Sequence, residues 1–107
     1  MTDRELLELA AKAAGYAVVP HPNGKSCSDL HFILARQNWN PLTDDGDALR
    51  LAVKLNLLLL LYPDDRAVRV TRLDQPNTIV SFGTPPDPYA ATRRAIVRAA
   101  AAIGEQA

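Results

Sequence analysis

Residues 57–82 read LLLLLY-PDD-RAVRVTRL-DQPN-TIVSF, and this stretch decides the fold. Leu57 to Tyr62 is an unbroken apolar run of six residues with no polar position to mark an outer side. It therefore reads as a strand buried on both faces. Continuation of the helix before it is the competing reading, because Leu favours helix and no β-branched residue interrupts the run. Pro63-Asp64-Asp65 makes a turn. Arg66 to Leu73 then carries Val68, Val70 and Thr71, with Arg69 alternating out between the two valines, which is the pattern of a second strand. Asp74-Gln75-Pro76-Asn77 turns the chain again, into a third strand at Thr78 to Phe82. Connections this short join neighbours antiparallel, so the stretch predicts a meander.

Helical patterns flank it on both sides. Upstream, Thr43-Asp44-Asp45 supplies short polar acceptors for the unpaired amides of a helix start, and its negative charge suits the positive end of the dipole. Ala48, Leu49, Leu51, Ala52, Val53 and Leu55 give that helix a wide apolar face, Arg50 and Lys54 lie opposite, and Asn56 is its cap. Downstream, Gly83 to Pro86 is a connector. Asp87-Pro88 opens the last helix, which runs to about Ile103 and stops at Gly104. At the N-terminus Thr2-x-x-Glu5 fits a capping box. Leu6, Leu7, Leu9, Ala10, Ala13 and Ala14 form an apolar stripe, and Gly15 is the natural stop.

The stretch between the first two helices is less regular. Tyr16 to Val19 reads as a short strand ended by Pro20, and His31 to Arg36 as a second. The predicted class is α+β: a small, mainly antiparallel sheet of three strands, or four if 31–36 joins it, packed with three helices.

The 107 residues make one domain, with a single core and no linker or repeat. Twelve Lys and Arg balance 12 Asp and Glu, which argues against a general nucleic-acid binder. With 48% apolar residues the composition is not that of a disordered chain. The first fifteen residues lack the continuous apolar core of a signal peptide, and the six-residue run at 57–62 is far short of the roughly 20 needed to cross a bilayer. A soluble, cytoplasmic protein is the expectation. One cysteine excludes an internal disulfide and a multi-cysteine zinc site.

Three groups of residues carry possible chemistry. His21, Cys27 and His31 are spaced H-x5-C-x3-H, types that suit zinc, but no familiar motif has that spacing and two turn-forming dipeptides intervene. The plain expectation is a loop histidine, a small buried cysteine and a strand histidine, with no metal. The same three residues are the weak case for a thiol nucleophile, since neither histidine has a recognisable acidic partner to orient it. Asp44, Asp45 and Asp47 could chelate a hard cation, yet the twelfth residue from Asp44 is Leu55 rather than the Glu of a calcium loop, so capping is the better reading. Trp39, lying in a loop beside Asn40, reads first as a plug for the end of the core. Alternatively, Trp39, Asn40, Asp44, Asp45 and Asp47 would line a site for a nucleotide-like anion, with nearby arginines supplying charge. No phosphate-binding glycine loop occurs, and no motif implies a cofactor.

Two stretches carry a resemblance: Trp39-Asn-Pro-Leu-Thr-Asp-Asp-Gly-Asp-Ala-Leu-Arg-Leu-Ala-Val-Lys-Leu55, and Ala90-Ala-Thr-Arg-Arg-Ala-Ile-Val-Arg-Ala-Ala-Ala-Ala-Ile-Gly-Glu105. Together about a third of the chain, they resemble small phage and prophage proteins grouped as a phage α/β/α sandwich domain. The resemblance implies a phage or prophage origin, a bacterial host and a mixed α/β fold, and it carries no catalytic residue with it. The expected function, resting on the absence of a nucleophile motif, a phosphate loop and a metal constellation and on a small-residue last helix, is that of a non-enzymatic phage accessory protein acting by protein–protein contact, with itself and with a host target. In the last helix Ala91, Ala95, Ala99 and Ala102 share one face, small enough for close backbone approach. Burial on two sides is expected there, one against the sheet and one against another helix or subunit. A homo-oligomer interface with Arg94 and Arg98 at its polar rim is the favoured reading, against a surface helix packed on one side only.

Overall fold

The computed structural model describes residues 2–22, 31–62, 67–72, 78–82 and 87–106. The predicted turns at 63–65 and 74–77, the connector at 83–86, Asn23-Gly24, Arg66 and Cys27 lie outside the described residues.

Helix α1 (Asp3–Ala14) starts where Thr2 accepts the Glu5 amide at 3.2 Å. It ends on Gly15 at φ 73°, with Gly15 N–H donating to Lys12 O and Tyr16 N–H to Ala11 O. This is the left-handed glycine stop that satisfies the last carbonyls. Strands β1 (Val19–Pro20), β2 (Phe32–Leu34) and β3 (Gln37–Trp39) form one antiparallel sheet in that order. Two expectations are corrected here. The strand read at 16–19 is a two-residue edge ladder that includes Pro20, tolerated because an edge position leaves its missing N–H unneeded. The strand read at 31–36 ends at Leu34, because Ala35 and Arg36 turn at φ 51° and 69° and send the chain back as β3. Trp39 is thus a strand residue, not a loop residue.

Helix α2 (Asp45–Lys54) is capped by Asp44, whose carboxylate accepts the Asp47 amide at 2.7 Å. Asn56 follows at φ 55°, a left-handed position that Asn accepts more readily than most residues. Strands β4 (Leu57–Tyr62), β5 (Ala67–Arg72) and β6 (Thr78–Phe82) form the predicted meander, a second antiparallel sheet that pairs Leu59 with Val70 and Val70 with Ile79. Because β2 pairs only within the first sheet, 31–36 does not extend the meander to four strands.

Helix α3 (Pro88–Glu105) begins at Asp87, which accepts the amides of Tyr89 and Ala90. It does not stop at Gly104: that glycine is buried inside the helix. Residue 104 meets the α1 backbone so closely that a Cβ there would run into the Leu9 carbonyl oxygen and lie 2.9 Å from its carbon. Gly104 is therefore a contact glycine, which local sequence cannot distinguish from a stop.

The class is α+β, and α3 is its centre. On one side Ala95 and Ala99 pack with Val68 and Val70 of β5, with Leu57 and Leu59 at the margin. On the other, Ile96, Val97, Ala100 and Ala101 join Leu7, Ala10 and Ala14 of α1, Leu51 and Ala52 of α2, and Phe32 and Trp39. α3 lies over β5 and β6 and leaves β4 at the sheet edge. The expectation that 57–62 is buried on both faces is corrected accordingly. Leu58 is 40% exposed and Leu61 61%, and these two point to opposite faces of the strand.

Candidate functional site

The segment from Trp39 to Asp47 is where the expected ligand residues converge. β3 delivers Trp39 into the core at 3% exposure, its ring edge-on to Tyr16 with centroids 6.0 Å apart, and opposite Phe32 in the sheet. It plugs the end of the core. The chain then folds back on Asn40, whose side-chain oxygen accepts the Leu42 amide at 3.0 Å and whose carbonyl accepts the amides of Thr43 and Asp44. The Asn40 N–H donates to the Asp47 carboxylate at 2.9 Å. Asp47 is buried, and its second oxygen receives the Arg50 guanidinium at 2.7 Å. That hydrogen bond, foremost, raises the pKa of Arg50 above its ordinary value. Asp45 takes Arg93 at 2.6 Å, while the Arg93 Nε donates to the Leu42 carbonyl at 2.9 Å.

Asn40, Asp44, Asp45 and Asp47 are thus brought together, as the spacing suggested, but their oxygens face backbone amides and two guanidinium groups of the same chain. What this arrangement does chemically is hold the turn that joins β3 to α2 and tie it to α3 through Arg93. The Arg93 link was not legible in the sequence, because it spans 48 residues to Asp45 and no local pattern marks it.

The other expected residues fall in three places. His21 and His31 stand opposite each other at the end of the β1–β2 ladder, the His21 N–H donating to the His31 carbonyl at 3.0 Å. Among the described residues no group of three His, Cys, Asp or Glu could hold a metal ion. Along α3, Ala95 and Ala99 are covered by the chain's own sheet. Ala91, Arg94 and Ala102 are partly exposed and Arg98 is exposed, so these four lie along the helix's open stripe. Arg94 reaches Asp3 at 3.1 Å, an ion pair between α3 and the start of α1. Exposed apolar surface that the sequence pattern assigns to the interior lies at Leu58 and Leu61 of β4 and at Leu49 and Val53 of α2.

No helix among the described residues is long and apolar enough to cross a membrane. Comparison with family models, with curated proteins and with solved structures finds no match.

Proposed function

We propose that this protein is a non-catalytic contact module, of the phage accessory kind that its 39–55 stretch resembles, acting through self-association along β4. The observation that carries this reading is the composition and position of that strand. β4 is a sheet edge of six residues without a charge, a proline or a glycine. Edge strands ordinarily carry such devices, because their unpaired N–H and C=O groups template pairing with another chain. The first sheet is protected otherwise: Pro20 lies in one edge strand, and the other, Gln37–Trp39, is only three residues long and polar at two of them. In β4 the large side chains of Leu58 and Leu61 stand exposed instead, one on each face.

A second copy suits this edge. Two β4 strands laid antiparallel about a two-fold axis meet without like charges in any register, since 57–62 contains none. The joined sheet would give each leucine a cross-strand neighbour on its own face. A single strand pair is a small interface, so the association is concentration-dependent rather than obligate. Sedimentation velocity across a concentration series tests it: the parent shifts from monomer to dimer, and Leu58→Lys with Leu61→Lys, both at exposed sites, stays monomeric with unchanged circular dichroism. A parent that sediments as monomer throughout, or a double variant that dimerises equally well, overturns the reading.

A further inference from the structure

The β1–β2 ladder pairs Val19 with Ile33 and Pro20 with Phe32. One step further, the backbone bond from His21 N–H to the His31 carbonyl, at 3.0 Å, continues the same register. Residues opposite each other on antiparallel strands project from the same face, with Cβ atoms about 4.5–5.5 Å apart. Both histidines are half-buried. They are also the only two in the chain, separated in sequence by nine residues and brought side by side by the fold alone.

Imidazole nitrogen is a ligand for zinc, copper and nickel ions. At metal–nitrogen distances of about 2.0–2.1 Å, two nitrogens on one tetrahedral ion lie about 3.3 Å apart, within reach of rings carried on such a pair. We propose that His21 and His31 form a two-imidazole site for a divalent transition-metal ion, with solvent completing its coordination. Each ring binds through one nitrogen and keeps the other as a hydrogen-bond donor. The bound ion links β1 to β2 across a ladder of only two residue pairs. The proposal is independent of self-association through β4, which lies in the other sheet.

Zn2+ is the probe, added to protein without a polyhistidine tag. In the parent, the imidazole proton resonances of both histidines should move together and saturate at one ion per chain. The thermal midpoint should rise with Zn2+, because the ion binds the folded pair better than separated histidines. Cys27→Ser should keep that rise, and His21→Ala or His31→Ala should each abolish it, the double variant losing no more than either single one. Perturbation of one histidine only, no perturbation at millimolar Zn2+, or a rise that disappears with Cys27→Ser overturns the proposal. The resonance measurement needs no variant, so it decides the matter even if a histidine substitution fails to fold.

Discussion

Gly104 shows how one residue type serves two unrelated purposes. Gly15 and Gly104 both follow apolar helical stripes, yet only Gly15 adopts the left-handed conformation that ends a helix. Gly104 stays helical and lets α3 approach the Leu9 carbonyl of α1. Adding a methyl group there forces backbone apart, because the obstructing atoms are main-chain and have no rotamer to yield. Gly104→Ala should destabilise the protein by about 1–3 kcal/mol despite the better helix propensity of Ala. Gly15→Ala should also destabilise, by about 1 kcal/mol, through backbone strain alone. Urea denaturation followed by the emission of Trp39 measures both. A stabilised Gly104→Ala protein would mean that the two helices do not meet there.

At the scale of the element, the hairpin of β2 and β3 is the informative case. A two-residue connection with both central φ angles positive is the turn that strand twist favours, and Asn-Gly is its usual sequence. Here Ala35-Arg36 occupies it, at φ 51° and 69°. Neither residue announces a turn, so His31 to Arg36 reads as one strand, and Trp39 is displaced in the reading to a loop. The hairpin forms because closing it buries Phe32 and Trp39 opposite each other in the core. That burial outweighs the left-handed strain of about 1–2 kcal/mol per residue. Replacing Ala35-Arg36 with Asn-Gly should remove part of the strain and raise stability by about 1 kcal/mol or more, read as a higher urea midpoint at unchanged slope. An unchanged or lower midpoint would show that the turn is not held in this geometry.

For the whole molecule, the decisive fact is that α3 stands between the second sheet and α1 with α2. Two-sided burial, with the sheet on one side and a helix or a second subunit on the other, was legible in its small residues; that α1 and α2 take the second side was not. Ala99 is 4% exposed against β5, whereas Ala102, three residues on, is partly open. A carboxylate forced in at 99 has no cationic partner within that apolar cluster. Ala99→Glu should therefore lower stability by about 3–5 kcal/mol or prevent folding, while Ala102→Glu folds with the parent's circular dichroism. Equal tolerance of the two substitutions would place the sheet elsewhere than on this face. The same arrangement explains why β4 is only partly covered: α3 lies over β5 and β6, so Leu57 and Leu59 reach the core at its margin while Leu58 and Leu61 stay exposed.

The elements whose signals are local were legible from the residues alone. The caps at Thr2, Asp44 and Asp87, the α1 stripe of Leu6, Leu7, Ala10 and Ala14, and the alternation around Arg69 act over a few bonds, so chain chemistry alone determines them. The apolar face read for α2 is narrower than expected, because Leu49 and Val53 are exposed. Tertiary structure decided what depends on a distant neighbour. It put Trp39 in a strand, drew Arg93 to Asp45, set His21 beside His31, kept Gly104 helical, and left Leu58 and Leu61 of a five-leucine strand exposed. An apolar side chain has the same hydration free energy in water whether the fold later covers it or not. Its sequence records a tendency to be buried; only packing supplies the surface that does it.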